Sequence, residues 1–151
     1  MLDTYVLEPF LNSQGIRRID YVFVSHADSD HINGIIGLIE NDADRIGTLM
    51  LPQSQSSKKQ FEQLLTAAKK KQIPVKWISK GDVFSLKTLP DLSFEVLWPS
   101  KNEKSDDTNE SSLVWRLNYH DFSMLFTGDL PGDCEDELVS LKPVTVLKVA
   151  H

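Results

Sequence analysis

Apolar positions along the chain switch between a helical and a strand period, and the switches mark the elements. Leu2, Val6, Leu7, Phe10 and Leu11 recur at helical spacing with Gly15 as a stop, which predicts an amphipathic helix at the start. "IDYVFVS" (19–25) is short, β-branched and aromatic, as a buried strand is. "INGIIGLIEN" (32–41) predicts a short helix whose Gly34 and Gly37 permit close packing, and "IGTLMLP" (46–52) predicts a strand stopped by Pro52. A second amphipathic helix is expected over 57–72, through Phe61, Leu64, Leu65 and Ala68, with lysines on its outer side. "VKWIS" (75–79), "VFSL" (83–86) and "LSFEVLWP" (92–99) read as strands, and "LVWRLNYH" (113–120) and "FSMLFTGD" (122–129) as a hairpin around His120-Asp121. A short helix from Asp133 to Leu141 and a strand "VTVLKVAH" (144–151) complete the pattern. "SKNEKSDDTNESS" (100–112) has no apolar residue and reads as a surface loop. Helices mixed with strands and hairpins imply a layered α/β structure with helices on its outer faces. No internal repeat interrupts it, so residues 1–151 read as one domain.

Composition changes this picture little. Hydrophobic residues make up 40% of the chain, enough for a real core, and the net charge of −6 argues mildly against an anionic partner. The charge is uneven, however. Residues 58–80 hold seven lysines against Glu62 alone, so this stretch carries +6 and the rest −12. It reads either as a solvated helix face or as a guide for an anionic strand. Cys134 is the single cysteine, which excludes an intrachain disulfide and a cysteine-based zinc site. No apolar run approaches the roughly 18 residues that span a bilayer.

"SHADSDH" (25–31) carries the chemistry. His26, Asp28, Asp30 and His31 fall within six positions at the end of a predicted strand, and imidazole and carboxylate are the usual ligands of zinc, manganese and iron. In an extended segment His26, Asp28 and Asp30 project to one side, and His31 turns to a neighbouring position. So many donors exceed what one ion takes from a short loop. The spacing therefore implies two ions roughly 3.5–4 Å apart, with His26 and Asp28 on one and Asp30 and His31 on the other. Asp30, just before the helical pattern, is also placed to cap it. Further ligands are expected at other strand ends, where Asp129 closes "MLFTGD" and His151 closes "VLKVAH".

These segments resemble the metallo-β-lactamase superfamily. "SHADSDHINGI" matches its H-x-[HD]-x-D-H signature, with aspartate at the third position, and "FTGD" and "LKVAH" match its later ligand strands. More narrowly, "PFLNSQGIRRIDYVFVSHADSDHINGI", "SSLVWRLNYHDFSMLFTGDL" and "VLKVAH" look like the corresponding domain of the ComEC family of competence DNA-uptake channels. The resemblance implies an αββα sandwich, with His26, Asp28, Asp30, His31, Asp129 and His151 as metal ligands and Asp129 bridging. Asp30 would also orient or deprotonate the attacking water. The superfamily's usual histidine between the first motif and the bridging aspartate has no clear counterpart; an N-x-x-S segment occupies that loop in the narrower family, Asn109 with Ser112 fits it as candidate substrate-binding residues, and His120 reads as a surface-turn residue.

Two divalent ions, Mn²⁺ or Zn²⁺, are the implied cofactors, with no small-molecule organic cofactor, and Asp28 tilts the site toward Mn²⁺. The implied activity is a metal-dependent nuclease degrading DNA, single-stranded DNA foremost, during uptake. Hydrolysis of another phosphoester or ester, or a non-catalytic DNA- or partner-binding domain, are the alternatives. The implied setting is the extracellular face of the cytoplasmic membrane, attached to the transmembrane channel portion of the same parent protein. The superfamily's opening D-V-G-Q-G-D-like strands are absent, as are the second histidine, glycine and serine after the last ligand. The expectation is thus a domain truncated at both ends, with an open sheet edge and little activity of its own.

Overall fold

The computed structural model describes residues 6–103, 105–138 and 141–150. After helix α1 (Glu8–Ser13), strands β1 (Ile19–Phe23), β2 (Ile46–Pro52) and β3 (Val75–Ile78) form a parallel sheet in that order. Parallel neighbours need crossovers, and α2 (Ser29–Asp42) and α3 (Phe61–Lys70) provide them. A second sheet runs β4 (Val83–Leu86), β5 (Leu89–Trp98), β6 (Val114–Tyr119), β7 (Phe122–Phe126) and β8 (Val146–Lys148). It is antiparallel except for the parallel pair β7 and β8.

Strand alternation sorts the core into layers. Val22, Leu49, Leu51, Val75 and Trp77 face the helices and pack with Leu38, Ile39, Phe61 and Leu64. Tyr21, Phe23, Met50 and Ile78 face the second sheet and meet Phe84, Val96, Leu113 and Trp115. The first sheet is therefore largely apolar on both faces, which is why Tyr21–Phe23 and Leu49–Leu51 read as short hydrophobic runs. Between the sheets, Phe23 stacks on Trp115 at 4.2 Å and Trp115 on Phe126 at 4.0 Å. The outer face of the second sheet is covered by Leu130, Cys134, Leu138, Leu141 and Val144. Helices, sheet, sheet and a helical covering segment make the αββα sandwich, and the last layer is a 3-10 helix (Gly132–Leu138) where an α-helix from Asp133 is predicted.

Three further departures have physical causes. Helix α2 begins at Ser29, ahead of the predicted start, because Asp28 is extended and its carbonyl accepts the His31 and Ile32 N–H groups. Asp30 thus lies in the first turn rather than at the cap. Helix α3 is shorter than 57–72 because the chain turns over residues 58–60 before it and leaves the helix at Gln72, whose φ is +59. In α1 only Leu11 of the predicted face is buried; Val6 and Phe10 are 57% and 55% exposed, and Leu2 falls outside the described residues.

Gly47 is the tight packing position. A Cβ there would stand 2.5 Å from the carbonyl oxygen of Asp20 in β1, whereas one on Gly34, expected to pack closely, meets nothing within 4 Å. Gly47→Ala should therefore destabilise by about 1–3 kcal/mol in urea unfolding. Gly34→Ala should stabilise by about 0.5–1 kcal/mol, and the opposite ordering would contradict this packing.

Candidate metal centre

Two strand ends from different sheets meet to form the site. From β1 the chain passes through Val24 and Ser25 to His26, which is 1% exposed, and to Ala27, which is fully buried. It then turns into α2 at Ser29, so His31 rises from the first helical turn. From the other sheet, β7 runs through Thr127 and Gly128 to Asp129. The Leu113 N–H donates to the Ser25 carbonyl at 2.7 Å and ties the two sheets together here. Gly128 has φ +59, and a Cβ on it would stand 2.9 Å from Ser112 Cβ and 3.1 Å from Ser25 Cβ. Only glycine suits both that backbone and that approach.

The approach gathers donor atoms. His26, His31 and Asp129 each offer one atom within 4.8 Å of the others. Asp129 Oδ2 lies 3.2 Å from His31 Nε2 and 4.0 Å from His26 Nε2. Asp28 Oδ2 flanks His26 Nε2 at 3.6 Å, and Asp30 Oδ2 flanks His31 Nε2 at 3.5 Å. Two ligands on one tetrahedral ion, each at about 2.0–2.1 Å, stand roughly 3.4 Å apart. The donor set fits divalent cations by chemistry and by spacing.

The remaining polar contacts hold these groups in place. Asp28 occupies the N-cap position of α2 but makes no capping bond; its Oδ1 accepts the Thr108 hydroxyl at 2.6 Å. Thr108 belongs to the loop from β5 to β6, which Gln55 anchors. Fully buried, Gln55 accepts the Ala27 N–H at 2.8 Å and donates to the carbonyls of Thr108 and Ser111 at 2.9 and 2.8 Å. Lys148, at the end of β8, donates to the Gly128 carbonyl at 3.2 Å and lies 3.9 Å from Asp129 Oδ1. Burial, reinforced by His31, pushes the His26 imidazole below its ordinary value, against the pull of Asp28, Asp129 and Asp30. A neutral ring keeps a nitrogen lone pair for a cation.

Of the residues singled out in the sequence, His26, Asp28, Asp30, His31 and Asp129 stand together. His151 lies outside the described residues. Ser112 is fully buried and its hydroxyl accepts the Asp129 N–H at 3.3 Å, so it supports the site from within. Asn109 Oδ1 is buried and accepts no hydrogen bond among the described residues. His120 sits in the β6–β7 turn at φ +50, with Nε2 3.8 Å from Asp91 Oδ2. Ser25, Gln55, Thr108 and Lys148 were missed. Ser25 and Lys148 lie inside the quoted motifs and carried a positional signal, while Gln55 and Thr108 sit in polar runs that look like any loop.

The family model described as a beta-lactamase superfamily domain matches residues 3–149. The chain belongs to the metallo-β-lactamase superfamily. Among curated relatives, this metallo-β-lactamase domain is 32% identical to ComE operon protein 3 of Bacillus subtilis (strain 168), over 97% of the chain and 18% of that protein. It is also 32% identical to competence protein ComA of Neisseria gonorrhoeae, over 87% of the chain and 16% of that protein. The domain thus spans less than a fifth of the length of either relative. Among solved structures, CmlA beta-hydroxylase (E377D mutant) matches over 87% of this chain and 26% of its own, with TM-score 0.53 and 16% identity, a likeness of fold.

Gln55→Leu keeps the volume but leaves the Ala27 N–H and the loop carbonyls unpaired. It should cost about 2–4 kcal/mol in urea unfolding, and an unchanged midpoint would show that the loop does not depend on it.

Proposed function

We propose that this domain is a two-metal phosphodiesterase that degrades DNA, single-stranded DNA foremost, in competence-associated uptake. The observation that supports this reading is that Asp129 Oδ2 lies near both histidines, with Asp28 beside His26 and Asp30 beside His31. Divalent ions held there, when bound, supply charge neutralisation at the phosphate and lower the pKa of the attacking water. The carboxylate of Asp28, in place of an imidazole, favours Mn²⁺ over an imidazole-rich zinc site.

The chain's own residues have distinct tasks. Asp129 holds the two sets together, with Lys148 against its other oxygen. Asp30, whose side chain is 68% exposed, is proposed to orient the attacking water and take its proton. His151, following β8, is proposed as a further ligand. Asn109, in the loop that Gln55 anchors, is proposed to meet the nucleotide, and Ser112 to steady Asp129 behind it. The competence names of the relatives support DNA as the substrate. The setting proposed for the domain, on the outer face of the cytoplasmic membrane beside a channel portion, follows from the resemblance of its motifs alone. Among the described residues, no helix is long and apolar enough to cross a membrane.

The topology divides the lysines. Helix α3 returns from the carboxyl end of β2 to the amino end of β3, so Lys69, Lys70 and Lys71 lie at the end of the sheet away from the site, about 15 Å from the start of the helix. Lys59 lies at the near end, in a cleft of about 450 Å³ shared with Ser29, Asn33, Gln60 and Gln63. Reversing the charge of Lys69–Lys71 together should leave DNA affinity within about twofold, whereas Lys59→Glu should weaken it several-fold and flatten its salt dependence. The reverse result would place the strand on the other face.

Cleavage of single-stranded DNA in Mn²⁺ tests the function directly. In the domain extended at both ends within its parent protein, the wild type should exceed Asp30→Ala by about 10²–10⁴-fold. Equal rates in the two proteins, or no cleavage with any divalent metal, would overturn the assignment.

A further inference from the structure

One hydroxyl touches both histidines. Ser25 Oγ lies 3.0 Å from His26 Nδ1 and 3.2 Å from His31 Nδ1, and the two rings stand 4.1 Å apart between centroids. Their Nε2 atoms point the other way, toward Asp129 Oδ2. We propose that Ser25 is a positioning residue that fixes the tautomer and aim of both imidazoles at once, coupling the two halves of the centre. The inference rests on the metal-binding reading of this cluster.

Hydrogen-bond accounting carries it. A neutral imidazole has one N–H and one lone pair, so an Nε2 that binds a cation leaves the proton on Nδ1. Two Nδ1–H groups then need acceptors in a site where His26 is almost wholly buried. A hydroxyl oxygen has two lone pairs and can accept both, while its own proton turns elsewhere.

Ser25 is itself held from two sides. Its carbonyl accepts the Leu113 N–H at 2.7 Å, and its Cβ bounds the space that Gly128 leaves open. The oxygen is thus fixed relative to both sheets, and the ring orientation follows from the same backbone contact that brings Asp129 into place. Because a single acceptor serves both rings, its loss should weaken both halves together rather than one of them.

The test is a titration of the chain with Zn²⁺ and with Mn²⁺ by competition with a chromophoric chelator, beside circular dichroism of each variant. Ser25→Ala should lose about 10–100-fold in affinity in both binding steps, as removal of a group that orients metal-bound histidine does. Ser25→Gly, a second way to remove the hydroxyl, should lose as much, and Ser25→Thr, which keeps it, should recover most of the affinity. Long-range ¹H–¹⁵N spectra of the Zn²⁺-loaded wild type should show both rings protonated at Nδ1, and Ser25→Ala should show mixed tautomers. Folded Ser25→Ala and Ser25→Gly with wild-type affinity and ring signals, or a loss confined to one step, would overturn the role of Ser25 and leave the metal centre standing. Wild type that binds no more metal than His26→Ala would remove the metal centre itself, and this inference with it.

Discussion

The site depends on one close approach. Where Ser25, Ser112 and Gly128 meet, the end of β1 in one sheet comes against the end of β7 in the other, at a distance that no side chain on Gly128 would permit. The Leu113 to Ser25 hydrogen bond fixes the register of that contact. From it follow the positions of His26 and His31 on one side and Asp129 on the other. The sandwich supplies the force behind the contact, because the aromatic stack of Phe23, Trp115 and Phe126 presses the same two strands together from inside. A loop pinned by Gln55 then closes the third side and hands Thr108 to Asp28.

This arrangement concentrates like charge. Asp28, Asp30 and Asp129 crowd around two imidazoles, of which His26 is kept from protonation by burial. Such a cluster is costly to fold without a cation, and a cation that binds only the folded state stabilises it by mass action. The overall acidity of the chain, which argues against an anionic partner, is thus partly the signature of a cation site. The lysine-rich stretch argues less for such a partner than its charge implies, since Lys69–Lys71 lie at the far end of α3.

Much of this was legible in the sequence because the first sheet is largely buried on both faces, so Tyr21–Phe23 of β1 and Leu49–Leu51 of β2 stand out as apolar runs. The donor cluster was legible because histidine is scarce in the chain and two of its four copies fall in one motif. The part played by Asp28 was not, since its carboxylate accepts from Thr108, 80 positions away, rather than capping its own helix. Gln55 was not, because glutamine in a run of serines and glutamines carries no mark of burial. The polarity of the lysines required the direction of α3, which only the order of the strands reveals. The exposed side of α1 had no local signal either, as Phe10 and Leu11 read alike until one of them is buried.

The central claim is that Asp129 Oδ2 is shared by two metal sites. Anomalous scattering from crystals of the chain grown in Mn²⁺ tests it most directly. The account expects two peaks about 3.5–4 Å apart, one beside His26 and Asp28 and the other beside His31 and Asp30, with Asp129 between them. A single peak equidistant from His26, His31 and Asp129, or no peak at this cluster, would contradict it.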